Sequence, residues 1–125
     1  MARSAALSIV AWRLRAQQNL CAATVLIGRT PPLLMPAVSR IYYSCYQAAC
    51  AEMLARGVPV GRSHGATWAG SHRIRLGLGN RLRDLYRWRL AADYATRTIT
   101  DSEARHLVAD YAALARQLGV TENDR

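Results

Sequence analysis

The stretch that most constrains the fold reads Arg87-Trp-Arg-Leu-Ala-Ala-Asp-Tyr94. With the residues before it, it forms a stripe at spacings of three and four, the period of one buried helical face: Leu82, Leu85, Arg89 and Ala92. Asp93 follows Arg89 by one helical turn. Because removing a charge from water is costly unless the group is paired or serves a site, this Arg and Asp are candidate functional residues. A structural ion pair is the alternative interpretation.

Helical periodicity extends over most of the chain. We expect helices over about residues 4–27, 37–56, 64–71 and 80–96, with Ser63 as the N-cap of the third. A capping box, Thr100-Asp-Ser-Glu103, opens a fifth helix that ends near Gly119. No segment alternates with the period of a strand. The sequence therefore predicts an all-α, antiparallel bundle of four to five helices, forming a single domain over residues 1–125.

Three apolar stripes are expected in the core of this bundle. The stripe of the first helix comprises Leu7, Val10, Ala11, Leu14, Cys21 and Val25. The stripe of the second helix comprises Val38, Ile41, Tyr42, Cys45, Ala49 and Met53. The stripe of the fifth helix comprises Ala104, Leu107, Val108, Tyr111, Leu114, Ala115 and Leu118.

The chain is strongly basic. Its 125 residues include 17 arginines, no lysine and 8 acidic residues, which gives a net charge of +9. Guanidinium groups bind phosphate in bidentate fashion, so RNA or a nucleotide is a suitable partner, and an acidic protein fits equally well. The densest basic run contains Arg73, Arg75, Arg81, Arg83, Arg87 and Arg89. Tyr86 and Trp88 lie among these arginines and Trp68 precedes them; all three are candidates for stacking on bases. A solvated basic face is the commoner meaning of such a run.

The sequence predicts neither a metal or cofactor site nor a membrane location. The three histidines lie far apart, and the cysteines have no metal-ligand spacing, so we expect no metal and no cofactor. Three cysteines without a pairing pattern favour a reduced, cytoplasmic environment. No apolar run reaches the length of a membrane span, and we expect a chain without signal or anchor.

Three segments together resemble the HEPN domain family. They are Ala37-Val-Ser-Arg-Ile-Tyr-Tyr-Ser-Cys-Tyr46, Arg62-Ser-His64 and Arg89-Leu-Ala-Ala-Asp-Tyr94. The resemblance implies a bundle that forms a homodimer through its motif helices. Many HEPN proteins are metal-independent ribonucleases, often toxins or defence proteins paired with a nucleotidyltransferase antitoxin. The resemblance also makes Tyr94 a candidate acceptor of AMP from such a partner.

The chain departs from the family's cleavage motif, in which a histidine follows an arginine after four to six residues. None of His64, His72 and His106 has an arginine five to seven positions before it, and Asp93 lies where the histidine is expected. Metal-free RNA cleavage needs a base and an acid that work near neutral pH. An aspartate, with an ordinary pKa of about 3.9, suits neither role, so an Arg/Asp pair is better suited to holding a ligand or an interface than to cutting RNA.

The sequence thus yields two sets of candidate site residues. The candidate catalytic residues are Arg89, Asp93 and His64. The candidate nucleic-acid or nucleotide-binding residues are Arg40, Tyr43, Arg73, Arg75, Arg83, Arg87 and Tyr94. We expect an RNA- or nucleotide-binding component of a toxin–antitoxin or defence module, with weak metal-independent ribonuclease activity as its enzymatic form. The alternative is a non-catalytic subunit that docks a nucleotidyltransferase or another acidic protein.

Overall fold

The computed structural model describes residues 2–94 and 98–121, and the regular structure of these residues is entirely α-helical. Its helices are α1 (Ala2–Gly28), α2 (Leu34–Ala55), α3 (His64–Ser71), α4 (Leu78–Asp93) and α5 (Asp101–Gln117). The predicted all-α bundle is confirmed. Helix α2 starts three residues earlier than expected, because Pro36 fits the first turn of a helix, where its missing N–H is not needed. The predicted end of the fourth helix at residue 96 lies outside the described residues.

Helix α2 is the centre of the bundle and packs against all four other helices. Its predicted core stripe is correct, since all six residues are buried. The stripe predicted for α5 is also correct, with Leu107 partly buried and the remaining residues buried. Both helices have one clearly apolar face, which is why their periodicity identifies the core.

The two predicted N-caps are confirmed. The Ser63 hydroxyl accepts a hydrogen bond from the backbone N–H of Ala66 at 3.1 Å, which fixes the start of α3 and so positions His64. Thr100 and Glu103 form the reciprocal capping box at the start of α5, with distances of 3.1 and 3.0 Å. Each cap satisfies backbone donors that the helix itself leaves unpaired.

The core stripe predicted for α1 is wrong. Its members Val10, Leu14 and Val25 are 63%, 51% and 63% exposed, and Ala11 and Cys21 are also exposed. Among the α1 side chains that the structure describes, the buried ones are instead Ala16, Leu20 and Ala23. The two alanines allow α1 to approach α2 closely, and there the buried Ser44 hydroxyl donates a hydrogen bond to the carbonyl of Ala16 at 2.7 Å. The side chains of Leu7 and Ala92 lie outside the described part of the chain.

No helix within residues 2–94 and 98–121 combines the length and apolar character that a membrane span requires.

Candidate functional site

Six aromatic rings from three helices form a contiguous group, which we call the aromatic cluster. Its members are Tyr42, Tyr43 and Tyr46 of α2, His64 and Trp68 of α3, and Tyr86 of α4. Contacting rings have centroids between 4.8 and 6.2 Å apart. The cluster joins the start of α3 to the middle of α2 and α4.

Hydrogen bonds inside the cluster fix α3 against α2. The hydroxyl of the buried Tyr42 lies 3.1 Å from Trp68 Nε1 and 2.6 Å from His64 Nδ1, so it links two side chains of α3. The Tyr46 hydroxyl donates to Thr67 Oγ1 at 3.1 Å, and Thr67 in turn donates to the carbonyl of Gly61 at 3.3 Å. The position of His64 is therefore determined by α2 as much as by its own helix.

Arg89 lies at the edge of the aromatic cluster. Its guanidinium carbon is 5.2 Å from the ring centroid of Tyr43 and 5.6 Å from that of Tyr86, which is cation–π distance. Its Nε donates to Ser39 Oγ at 3.3 Å and lies 3.5 Å from Asp93 Oδ2. The Arg89 side chain is only 21% exposed, so its charge is held largely out of water between two tyrosines.

The Arg89–Asp93 ion pair contributes little to the stability of helix α4. An arginine that precedes its acidic partner by four residues is the less favourable order, and such pairs contribute only about 0.2–0.5 kcal/mol. Asp93 is also the last residue of α4, where the negative end of the helix dipole disfavours a carboxylate. Stability alone therefore gives little reason for an aspartate at this position, which favours a role in a site.

A cleft opens beside this pair, and we call it the Arg40–Asp93 cleft. It encloses about 490 Å³ and is lined by Met35, Pro36, Ser39, Arg40, Tyr43 and Asp93. The volume falls in the range of small-ligand sites. Arg40 is held from the other side, where its Nη1 donates to Asn19 Oδ1 at 3.2 Å. The lining thus includes one guanidinium, a tyrosine ring and a carboxylate. Because Ser39 and Asp93 also contact Arg89, a second guanidinium lies next to the cleft.

Burial controls the protonation of the groups behind the cleft. Burial, with a second contribution from the nearby Arg89 charge, lowers the pKa of His64, so its imidazole is neutral at pH 7. Burial also raises the pKa of Tyr42 and of Tyr46, so both phenols keep their protons. The site thus combines a fixed cation with neutral hydrogen-bonding groups.

Several predicted binding residues lie away from the cleft. Arg83 and Arg87 are about 120° and 160° around α4 from Arg89. Arg83 Nη2 lies 3.5 Å from Asp84 Oδ1. Arg87 lines a separate depression together with Trp88. Arg75 donates to Gln117 Oε1 at 2.8 Å. Arg73 is exposed in the turn after α3, and Tyr94 is 72% exposed directly after α4.

Sequence reasoning missed the parts of the site that hold the others in place. The sequence assigns no role to Ser39, predicts Tyr42 as a core residue and makes Trp68 a candidate for stacking on bases. In the structure Tyr42 and Trp68 share a hydrogen bond, and Ser39 contacts Arg89. A usable signal was present in α2, where Ser39 and Tyr43 are one turn apart beside the neighbouring pair Tyr42 and Tyr46.

Within the described residues, no group of three or more His, Cys, Asp or Glu side chains could hold a metal ion. Comparison of the chain with protein-family models, curated proteins and solved structures finds no match.

Proposed function

We propose that this protein binds RNA or a nucleotide in the Arg40–Asp93 cleft, as a HEPN-type component of a bacterial toxin–antitoxin or defence module. The observation that carries the proposal is the position of Arg89, held between Tyr43 and Tyr86 at the same cleft that Arg40 and Asp93 line. A largely desolvated guanidinium binds phosphate more strongly than one in water. The net charge of +9 further favours a polyanionic partner.

The mixture of charges in the cleft fits a nucleotide better than a simple anion. Arg40 and Arg89 suit phosphate oxygens, which accept paired N–H donors. Asp93 would repel a bare anion, but it is an acceptor for a ribose hydroxyl or a base N–H. Tyr43 offers an aromatic ring next to both, as sites for single-stranded nucleic acid do.

The enzymatic form of the proposal is a weak, metal-independent ribonuclease. Cleavage needs one group to take the 2′-OH proton and another to protonate the leaving oxygen. His64 is the single histidine at this site within the described residues, and its lowered pKa leaves little of the protonated imidazole that could act as the acid at neutral pH. Binding without efficient cleavage is therefore the form that we favour.

Binding is tested by fluorescence anisotropy with a labelled single-stranded RNA at several salt concentrations. We expect Arg40→Gln and Arg89→Gln each to weaken binding about tenfold or more, because a hydrogen bond to a charged group contributes about 1.5–3 kcal/mol. Arg105→Gln is the matched control, since it removes the same charge from a different depression between α1 and α5. Equal losses in all three variants would mean diffuse attraction to a basic surface and would overturn the cleft proposal.

Cleavage is tested separately by incubating total RNA with purified protein in EDTA beside Arg89→Ala. Cleavage by the wild type that is lost in the variant supports a metal-independent nuclease. Intact RNA with both proteins supports the binding form.

The second candidate is docking of an acidic partner such as a nucleotidyltransferase. It is favoured by the arginines that lie outside the cleft, notably the exposed Arg87 and the half-buried Arg83, which lie on sides of α4 turned away from Arg89. A nucleotidyltransferase encoded beside this chain would be the partner to test by co-purification. Capture that is lost on Arg83→Glu with Arg87→Glu, and retained on Arg40→Gln, would support this function over RNA binding.

A further inference from the structure

The hydrogen bonds of Tyr42 determine where the proton of His64 resides. The indole Nε1 of Trp68 can only donate, so the Tyr42 oxygen accepts at that contact, 3.1 Å away. The single phenolic proton of Tyr42 is then available for His64 Nδ1, at 2.6 Å. In this arrangement Nδ1 is the acceptor, and the imidazole proton lies on Nε2.

The opposite tautomer leaves a polar group without a partner. If His64 carried its proton on Nδ1, the Tyr42 oxygen would accept from both neighbours and its own O–H would have nothing to bond. Tyr42 is 0% exposed, so water cannot replace the lost partner. An unsatisfied buried donor costs enough to favour the Nε2–H tautomer by about tenfold or more.

The hydrogen bonds from Trp68 to Tyr42 and from Tyr42 to His64, which we call the Trp68–Tyr42 relay, also oppose protonation of the imidazole. A second proton would have to reside on Nδ1, directly against the Tyr42 proton. Burial of His64 and the charge of Arg89 act in the same direction, because both lower its pKa. His64 therefore remains a neutral ring with its N–H on the side away from Tyr42.

The His64 ring lies in the neighbourhood of Arg89, whose charge acts on it. The His64 ring packs on Tyr43 and Tyr86, with centroids 6.1 and 5.0 Å apart, and these are the rings that hold the Arg89 guanidinium. Among the described residues Tyr42 is the hydrogen-bond partner of the imidazole, and its bond is to Nδ1, so it does not occupy Nε2.

We propose that the Trp68–Tyr42 relay presents His64 Nε2–H as a neutral donor to a phosphate oxygen of the RNA or nucleotide bound beside Arg89. His64 is then a ligand-binding residue, and Tyr42 is a positioning residue that acts through it. This inference rests on the proposed function and assigns His64 a role other than proton transfer.

The tautomer is tested first, by long-range ¹H–¹⁵N NMR of the imidazole nitrogens in the full chain at pH 7. We expect a protonated Nε2 and an unprotonated Nδ1 in the wild type, and a mixture of tautomers in Tyr42→Phe. Tyr46→Phe is the matched control, since Tyr46 also contacts the His64 ring but bonds to Thr67. A protonated Nδ1 in the wild type, or the same spectrum in Tyr42→Phe, would overturn the relay.

The ligand role is tested with the same single-stranded RNA used for the cleft. We expect His64→Ala to weaken binding about tenfold, and His64→Gln to restore much of it, because an amide N–H can replace the imidazole donor. Equal binding by wild type and His64→Ala would overturn the role of His64 while leaving the cleft intact. If the wild type binds no RNA, the proposed function fails along with this role, whereas the NMR result still decides the relay.

Discussion

Adding one methyl group at Gly79 should separate α3 from α4. A Cβ at this position would lie 2.2 Å from the carbonyl oxygen of Trp68 and 2.6 Å from His72 Nε2. Since van der Waals contact begins at about 3.5 Å, the helices would have to part by roughly 1 Å. The carbonyl is not free to turn away, because it accepts a hydrogen bond from the Ser71 hydroxyl at 2.7 Å.

Gly65 provides a matched control for this substitution. It is the second residue of α3 as Gly79 is of α4, and a Cβ there would have nothing within 4 Å. Both Gly→Ala changes gain about 0.4–1 kcal/mol through reduced freedom of the unfolded chain. The Gly79 variant alone carries the cost of overpacking, about 1–3 kcal/mol.

The measurement is urea unfolding followed by circular dichroism. We expect Gly65→Ala to be more stable than the wild type. Gly79→Ala should be about 1–3 kcal/mol less stable than Gly65→Ala, and the slope of the unfolding free energy against urea concentration should be the same in both. Because Trp68 lies at the point of collision, Gly79→Ala should also weaken RNA binding. Equal free energies of unfolding in the two variants would refute the close approach of α3 and α4.

Three further predictions test the packing and electrostatics of the bundle. Leu20→Ala should lower the free energy of unfolding by about 2–5 kcal/mol. Leu14→Ala, at an exposed position, should change it by less than about 0.5 kcal/mol. Similar losses for the two variants in urea unfolding would contradict the orientation of α1. Thr100→Ala should cost about 0.5–2 kcal/mol in the same assay, and no loss would mean that the capping box is not formed. Since the folded pKa of His64 is below about 6.5, the unfolded state takes up its proton first as the pH falls, and stability should decline below about pH 6.5. His64→Gln should reduce that decline, and an unchanged pH profile would contradict the lowered pKa.

The sequence predicted the fold where a helix has one apolar face. The stripe from Val38 to Met53 on α2 repeats at helical spacing and is buried as expected. The stripe from Ala104 to Leu118, which runs along α5 to its C-cap, is buried except for the partly buried Leu107. In α1 the larger residues Val10 and Leu14 face solvent, and the buried face contains small alanines. A periodic pattern reflects the size and polarity of side chains along one helix. It does not show that a small residue such as Ala16 permits close contact with Ser44 of another helix.

The candidate site was predictable only in part. The spacing on α4 correctly places Arg89 on the same face as Leu82 and Leu85, because neighbours along one helix follow from its period. The partners of Arg89 and His64 are long-range contacts: Ser39 is 50 residues from Arg89, and Tyr42 is 22 residues from His64. Such contacts depend on how helices cross, which no local pattern encodes.

Contact between Arg89 and a ligand in the Arg40–Asp93 cleft can be observed by ¹H–¹⁵N NMR of the arginine Nε–H groups during titration with a single-stranded RNA, with Arg89 assigned through Arg89→Gln. We expect a saturable shift of the Arg89 signal at RNA concentrations where the Arg105 signal does not move. If the Arg89 signal stays in place while the signals of exposed arginines shift, the RNA does not bind at Arg89.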